Sequence, residues 1–90
     1  MDKDENSWTT RADDESVQAA VLRQLLDLHP AQLTTPELLR EIAGPRPGFA
    51  ERDAVDRALR DLEAAGLVHR GDDFITPSRA TLRLTELLDR

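Results

Sequence analysis

Residues 49–68, FAERDAVDRALRDLEAAGLV, carry the most regular pattern of the chain. The apolar side chains Val55, Leu59 and Leu62 recur at spacings of four and three, which places them on one stripe of an α-helix. The remaining faces are mostly charged, so the pattern predicts a helix that buries one side only. Gly66 is predicted to end this helix, because glycine takes the left-handed cap conformation without steric cost.

Three further helices are predicted around this segment. Residues 13–29 show apolar side chains at spacings of three and four, and Pro30 stops the pattern. The other two helices are expected where a threonine precedes a proline, at Thr35 and at Thr76. Threonine caps a helix with its side chain, and proline suits the first helical turn because its missing N–H has no partner there.

The last of these segments allows two descriptions. In a helix, four apolar residues would share the buried face: Ala80, Leu84, Leu87 and Leu88. Leu82 would then point the other way, which makes it a candidate contact to a partner. The alternation of apolar and polar residues over 82–85 would equally suit a strand, so helix and strand both remain alternatives for residues 79–85.

A β-hairpin is predicted between the third and the last helix. Leu67 and Val68 begin an extended run, residues 71–73 (Gly-Asp-Asp) favour a turn, and residues 74–76 form a second extended run. A short extended piece is also expected at Leu33. The chain is therefore predicted to be mainly α-helical with a small β-hairpin, in the order helix, strand, helix, helix, strand, strand, helix.

The net charge of −6 is concentrated at the N-terminus, where residues 1–15 hold six acidic and two basic side chains. Residues 1–12 are predicted to form a disordered acidic tail, because they contain too little apolar surface to order themselves. The folded domain is expected over residues 13–90, a length that suits a single core. Trp8 in the tail either docks onto the domain or a partner, or stays in solvent.

Composition also argues against several classes of protein. The chain has no cysteine, and no apolar run approaches the roughly 20 residues of a membrane span. Its N-terminus is acidic where a signal peptide is basic, so a cytoplasmic protein without a membrane partner is expected. The two histidines fall in different elements and no serine is flanked by glycines. We therefore expect no enzymatic activity, no cofactor and no metal.

The order of elements resembles that of the winged helix-turn-helix family of DNA-binding transcriptional regulators, over residues 13–89. The matching segments are LTTPELLREI as the positioning helix, FAERDAVDRALRDLEAAGLV as the recognition helix and LVHRGDDFITP as the wing. The sequence AAGLV followed by a short hairpin and a threonine-proline pair is similar to many small bacterial regulators. The resemblance implies that the third helix, about residues 50–65, enters the major groove, while the hairpin 67–76 touches phosphate or the minor groove.

Carried onto this chain, the resemblance implies double-stranded DNA as the partner and seven candidate contacts: Arg46, Arg52, Asp56, Arg57, Arg60, His69 and Arg70. Arginine can bond a guanine edge with two hydrogen bonds, whereas aspartate can only accept from a cytosine amine. The linker PRPG holds Arg46 either in a rigid turn or in an arm that enters the minor groove. A homodimer on adjacent half-sites would add phosphate contacts.

Two features favour a different function. Asp72 and Asp73 lie at the tip of the wing, where carboxylates repel DNA. Over residues 52–61, arginines and aspartates stand four apart and can pair along a solvated helix face. The alternative is a protein-interaction module with the same fold and no direct DNA binding. Trp8, Leu82, Asp72 and Asp73 are its candidate contacts to a basic protein partner.

Overall fold

The computed structural model describes the backbone of residues 3–89 and the side chains of residues 13–89. Within this range it contains four helices and one three-stranded antiparallel sheet. The elements in chain order are α1 (Lys3–Leu28), β1 (Leu33–Thr34), α2 (Thr35–Ala43), α3 (Phe49–Ala64), β2 (Val68–Gly71), β3 (Phe74–Pro77) and α4 (Arg79–Leu88). The predicted mainly helical fold and the predicted order of elements are confirmed, and residues 79–85 are helical.

The hydrophobic core lies between α1, α2, α3 and one face of the sheet. Its largest fully buried side chains come from each of these elements: Val21, Leu25, Leu38, Leu59, Leu62 and Ile75. The predicted stripe of α3 is confirmed, since Val55, Leu59 and Leu62 are each no more than 3% exposed. Burial of several branched side chains, each worth about 1.5–3 kcal/mol, fixes α3 against α1 and the sheet.

The sheet has the strand order β1-β3-β2, so β3 is its central strand. Leu33 of β1 pairs with Ile75 from one side, and Arg70 of β2 pairs with Ile75 from the other. The predicted hairpin is confirmed as β2 and β3. The extended piece at Leu33 proves to be a third strand, because its backbone supplies hydrogen-bonding partners for the outer edge of β3.

The C-terminus of α3 is closed by a Schellman motif. Gly66 has φ +80°, its N–H donates to the carbonyl of Glu63 at 3.0 Å, and the N–H of Leu67 donates to the carbonyl of Leu62 at 2.9 Å. These bonds satisfy carbonyls that the helix leaves free at its end. The predicted role of Gly66 is confirmed, and the tight stop directs the chain straight into β2.

The N-cap of α2 is Thr34, one residue before the predicted cap at Thr35. The Oγ1 atom of Thr34 accepts a hydrogen bond from the backbone N–H of Glu37 at 3.3 Å, and Glu37 Oε1 accepts one from the backbone N–H of Thr34 at 2.9 Å. This reciprocal pair is a capping box. Thr35 is already helical, because Glu37 stands three residues after Thr34 and only that spacing closes the pair.

The N-cap of α4 is Ser78, whose Oγ accepts a hydrogen bond from the N–H of Thr81 at 3.2 Å. The prediction that Thr76 caps this helix is wrong. Thr76 pairs with His69 inside the sheet, and Pro77 is the last residue of β3. Proline has no backbone N–H to donate, and at the end of the strand this interrupts no further pairing.

The face of α4 that points inward also differs from the prediction. Thr81 is buried and Leu82 is half-buried, whereas Leu84, Leu87 and Leu88 are 54%, 49% and 74% exposed. The orientation follows from two hydrogen bonds to the carbonyl of Leu67, one from the hydroxyl of Thr81 at 2.8 Å and one from the backbone N–H of Ser78 at 3.0 Å. The prediction that Leu82 points away from the domain is therefore wrong, and its contact to a partner stays a prediction.

Helix α1 begins at Lys3, ten residues before the predicted start at Asp13. Residues 3–12 lack the apolar spacing on which that prediction relied, but they contain no glycine or proline to interrupt a helix. Their side chains, including that of Trp8, lie outside the described residues. The disordered acidic tail over residues 1–12 and both alternatives for Trp8 stay predictions. No described helix, α1 included, has both the length and the apolar character that crossing a membrane requires.

Candidate nucleic-acid interface

The outward side of α3 begins with an exposed aromatic residue. Phe49, the first residue of the helix, is 87% exposed. It lies six positions before Val55, which is not a helical repeat, so it falls off the buried stripe. The preceding N-cap, Gly48, contributes no side chain, and the carboxylate of Glu51 folds back to within 3.0 Å of where a Cβ on Gly48 would stand. An acid at this end suits the positive pole of the helix.

Two arginines flank Phe49, one in the linker before α3 and one in its first turn. Arg46 and Arg52 are both exposed, and neither forms an ion pair with any side chain of residues 13–89. The spacing of four between Arg52 and Asp56 allowed a pair that the structure does not form. The N-terminal end of α3 therefore presents two free guanidinium groups beside one exposed ring.

Arg57 points sideways to α1. Its Nη2 lies 3.2 Å from Asp14 Oδ1, and its Nη1 pairs with Asp53 on α3. The pKa of the Arg57 guanidinium is raised above its ordinary value, first because Asp14 accepts a hydrogen bond from it, and partial desolvation opposes the shift. Nearby, the amide of Gln18 donates to Asp61 at 3.3 Å. Arg57 thus belongs to a polar seam between α1 and α3.

Arg60 and Arg70 are each paired with a neighbouring acid. Arg60 lies 3.3 Å from Asp56, with both side chains more than half exposed, and such a pair is worth only about 0.3–0.5 kcal/mol. Arg70 of β2 is less exposed and lies 3.8 Å from Glu63 of α3. Arg60 can exchange its partner at little cost, whereas Arg70 links the hairpin to α3.

The hairpin between β2 and β3 has a two-residue turn with two acids at its tip. Asp72 and Asp73 have φ values of 53° and 69°, and positive φ at both central residues is the requirement of a type I′ turn. His69 is exposed on β2. A groove of about 640 Å³ separates the hairpin from the start of α2, and it is lined by Arg70 and Asp73 among others. The tip itself presents carboxylates only.

The candidate residues thus fall into separate groups. Arg46 and Arg52 lie at the N-terminal end of α3, and the Asp56–Arg60 pair lies one turn further along. Arg57 forms an ion pair with Asp14 of α1. The sequence interpretation missed Phe49 as an exposed group, although its position relative to the apolar stripe was sufficient to show it. It also missed Asp14 as the partner of Arg57, for which no short-range signal exists.

The described residues contain no group of three His, Asp or Glu side chains placed to hold a metal ion. Comparison of the chain with protein-family models, with curated proteins and with solved structures finds no match.

Proposed function

We propose that this chain is a winged-helix DNA-binding protein that acts as a transcriptional regulator. In this proposal α2 and α3 form the helix-turn-helix unit and β2–β3 forms the wing. The single observation that carries it is the topology. The chain runs from α1 through β1 to the α2–α3 pair, and the hairpin β2–β3 follows and completes a sheet of order β1-β3-β2. The charged side of α3 stays exposed in this arrangement. A helix presented in this way can enter the major groove.

The N-terminal end of α3 is the proposed reading surface. Arg46 and Arg52 have no competing carboxylate among the described side chains, so they are free to bond phosphate or a guanine edge. Phe49 can contact the methyl group of thymine, an apolar contact available in the major groove. Recognition helices use their N-terminal residues for base contacts, which agrees with this placement of the free cations.

The remaining arginines have smaller parts in this proposal. Arg60 can leave Asp56 for a phosphate because their exposed pair is weak. Arg57 serves the seam with α1 instead of DNA, and Arg70 holds the wing against α3. Since the wing tip carries Asp72 and Asp73, it adds repulsion to backbone binding. Few phosphates are then contacted per copy, and a shallow salt dependence is expected, with a slope of roughly −0.9 per contact.

The test begins with selection of bound sequences from a random double-stranded pool, followed by fluorescence anisotropy at two salt concentrations. We expect binding that weakens with salt. Arg52→Ala should cost about 1–3 kcal/mol if Arg52 reads a base. The matched control is Arg23→Ala, which removes the same charge from the exposed side of α1. Absence of binding at low salt would refute the proposal, and an equal loss in the two variants would refute the assignment to α3.

The second candidate is a protein-interaction module without DNA binding, which binds a basic partner. It is favoured by the acidic wing tip and by the pairing of Arg57, Arg60 and Arg70 with acids. The test is retention of a lysine-rich polypeptide by the protein, compared with retention by an Asp72→Asn, Asp73→Asn variant. Retention that is lost in this variant, together with no affinity for DNA, would favour this function over the first.

A further inference from the structure

The outward face of α4 is an apolar stripe that no described part of the chain covers. It consists of Ala80, Leu84, Leu87 and Leu88, and all four are exposed. Three of the chain's large exposed apolar side chains thus lie on one helix of ten residues. Single exposed leucines are ordinary on protein surfaces, whereas a contiguous group marks a contact surface.

The stripe is not the side of α4 that bonds to the rest of the fold. Docking uses the opposite side, where the hydroxyl of Thr81 bonds to the carbonyl of Leu67 and where Leu82 lines a small pocket with Leu26 of α1 and with His29, which follows α1. The three leucines are therefore free to contact another molecule without unfolding the helix.

We propose that this stripe binds the α4 helix of a second copy of the chain, in an antiparallel pair about a two-fold axis near Leu84. A two-fold contact uses the same surface on both copies, so the surface must complement itself. When one helix is reversed, the small and the large residues of the stripe complement each other. Ala80 then leaves room at one end for Leu87 and Leu88 of the partner copy, while Leu84 meets its own counterpart at the centre.

The charges beside the stripe favour the same arrangement. Arg83 and Glu86 lie three positions apart on one flank, with their side chains 3.6 Å apart and more than 60% exposed. An antiparallel pair with its axis between positions 84 and 85 places Arg83 of each copy opposite Glu86 of the other. In a parallel two-fold pair this flank would instead face the opposite flank of the partner helix, and Arg83 and Glu86 would not meet across the contact. The flank is therefore complementary to itself only in the reversed orientation.

The size of the stripe limits the strength of this contact. Ten helical residues extend about 15 Å, and so short a helix buries less than the roughly 800 Å² per partner of a standard stable interface. The association is accordingly weak and depends on protein concentration. This inference does not rest on the proposed DNA binding.

The first experiment is sedimentation equilibrium of the full chain over a wide concentration range. Wild type should shift from monomer to dimer, and Leu84→Gln with Leu88→Gln should associate at least about tenfold more weakly. Phe49→Gln is the matched control, since it removes an exposed apolar side chain from α3, and it should associate like wild type. A wild type that stays monomeric throughout, or a double variant that associates like wild type, would overturn the proposal. Circular dichroism checks that both variants keep their helices.

The second experiment tests the orientation by exchanging charges. Arg83→Glu and Glu86→Arg should each weaken self-association, because each places like charges opposite one another twice. An equimolar mixture of the two variants should form heterodimers, since both contacts between copies are then favourable. The mixture does not restore the pair within either helix, so only a contact between copies explains recovery. No preference for heterodimers would refute the antiparallel arrangement.

Discussion

Leu59 and Leu84 carry the same side chain in opposite surroundings. Leu59 lies on the buried side of α3 and is fully buried, whereas Leu84 of α4 is 54% exposed. Leu59→Ala should lower the free energy of unfolding by about 2–5 kcal/mol, because it removes buried methyl groups and leaves a cavity. Leu84→Ala should lower it by less than about 0.5 kcal/mol. Urea unfolding at low protein concentration measures both, and equal losses would contradict the orientation of α4.

Glu37 makes the capping box of α2 sensitive to pH. The backbone N–H of Thr34, and next its hydroxyl, donate to the Glu37 carboxylate and hold its pKa below the ordinary value. A lowered pKa in the folded state means that the contribution to stability is present above the ordinary pKa and is lost as pH falls through the lowered one. Acidification therefore removes a stabilising contact.

Glu37→Gln should lower Tm at neutral pH, and the difference from wild type should shrink as pH falls through the lowered pKa and the wild-type carboxylate is protonated. Thermal melts followed by circular dichroism from neutral to acidic pH provide the measurement. The control is Glu15→Gln, which removes the same charge outside the cap. A difference that stays constant with pH would show that the carboxylate bonds of Glu37 do not contribute.

The turn between β2 and β3 is a strained element with two acidic side chains at its tip. Both of its central residues adopt positive φ, which costs an ordinary side chain roughly 1–2 kcal/mol and costs glycine nothing. Asp73→Gly produces the Asp-Gly pair that type I′ turns prefer. It should raise stability by roughly 0.5 kcal/mol, because the greater freedom of glycine in the unfolded chain offsets part of the gain.

Asp73→Asn separates conformation from charge in this test, since it removes the charge and keeps a side chain at the same φ. Both variants should bind DNA more tightly than wild type if the wing tip approaches phosphates. In urea unfolding, most of the gain in stability should appear in the glycine variant and not in the asparagine variant. A glycine variant that is less stable than wild type would argue against a type I′ turn.

For α2 and α4 the sequence predicted the helix correctly but its first residue wrongly. A threonine-proline pair located both helices to within two residues. In α2, however, the carboxylate of Glu37 selects Thr34 as the cap in place of Thr35. Before α4, Thr76 is held in the sheet by its pairing with His69, so Ser78 becomes the cap. Local preference is overruled in both places by a specific hydrogen-bonding partner.

The seam between α1 and α3 joins parts of the chain that are 43 positions apart. Arg57→Gln and Asp14→Asn should each lower Tm, and the double variant should lose less than the sum of the two, because both changes remove one shared contact. Thermal melts at low and high salt measure this, and the losses should shrink at high salt, where exposed pairs are screened. Arg57→Gln should also reduce DNA affinity less than Arg52→Ala. A larger loss of DNA affinity in Arg57→Gln than in Arg52→Ala would indicate that Arg57 contacts DNA.

Part of this structure can be predicted from the sequence alone. The stripe of α3, its stop at Gly66, the hairpin and the sequence of helices and strands depend on neighbours within a few positions, where helical periodicity and turn preferences act. Of the candidate interface, Arg46 and Arg52 could be named in this way.

Tertiary packing decided the rest. The partner of Arg57, the pairing of the strand at Leu33 with β3 and the covered side of α4 all depend on groups far away in the chain, such as Asp14, the edge of β3 and the carbonyl of Leu67. A pattern of apolar residues shows that a helix has a face to bury, but only the available hydrogen bonds and space show which face is covered. For α4 the side that carries Thr81 is docked, and Leu84, Leu87 and Leu88 stay exposed.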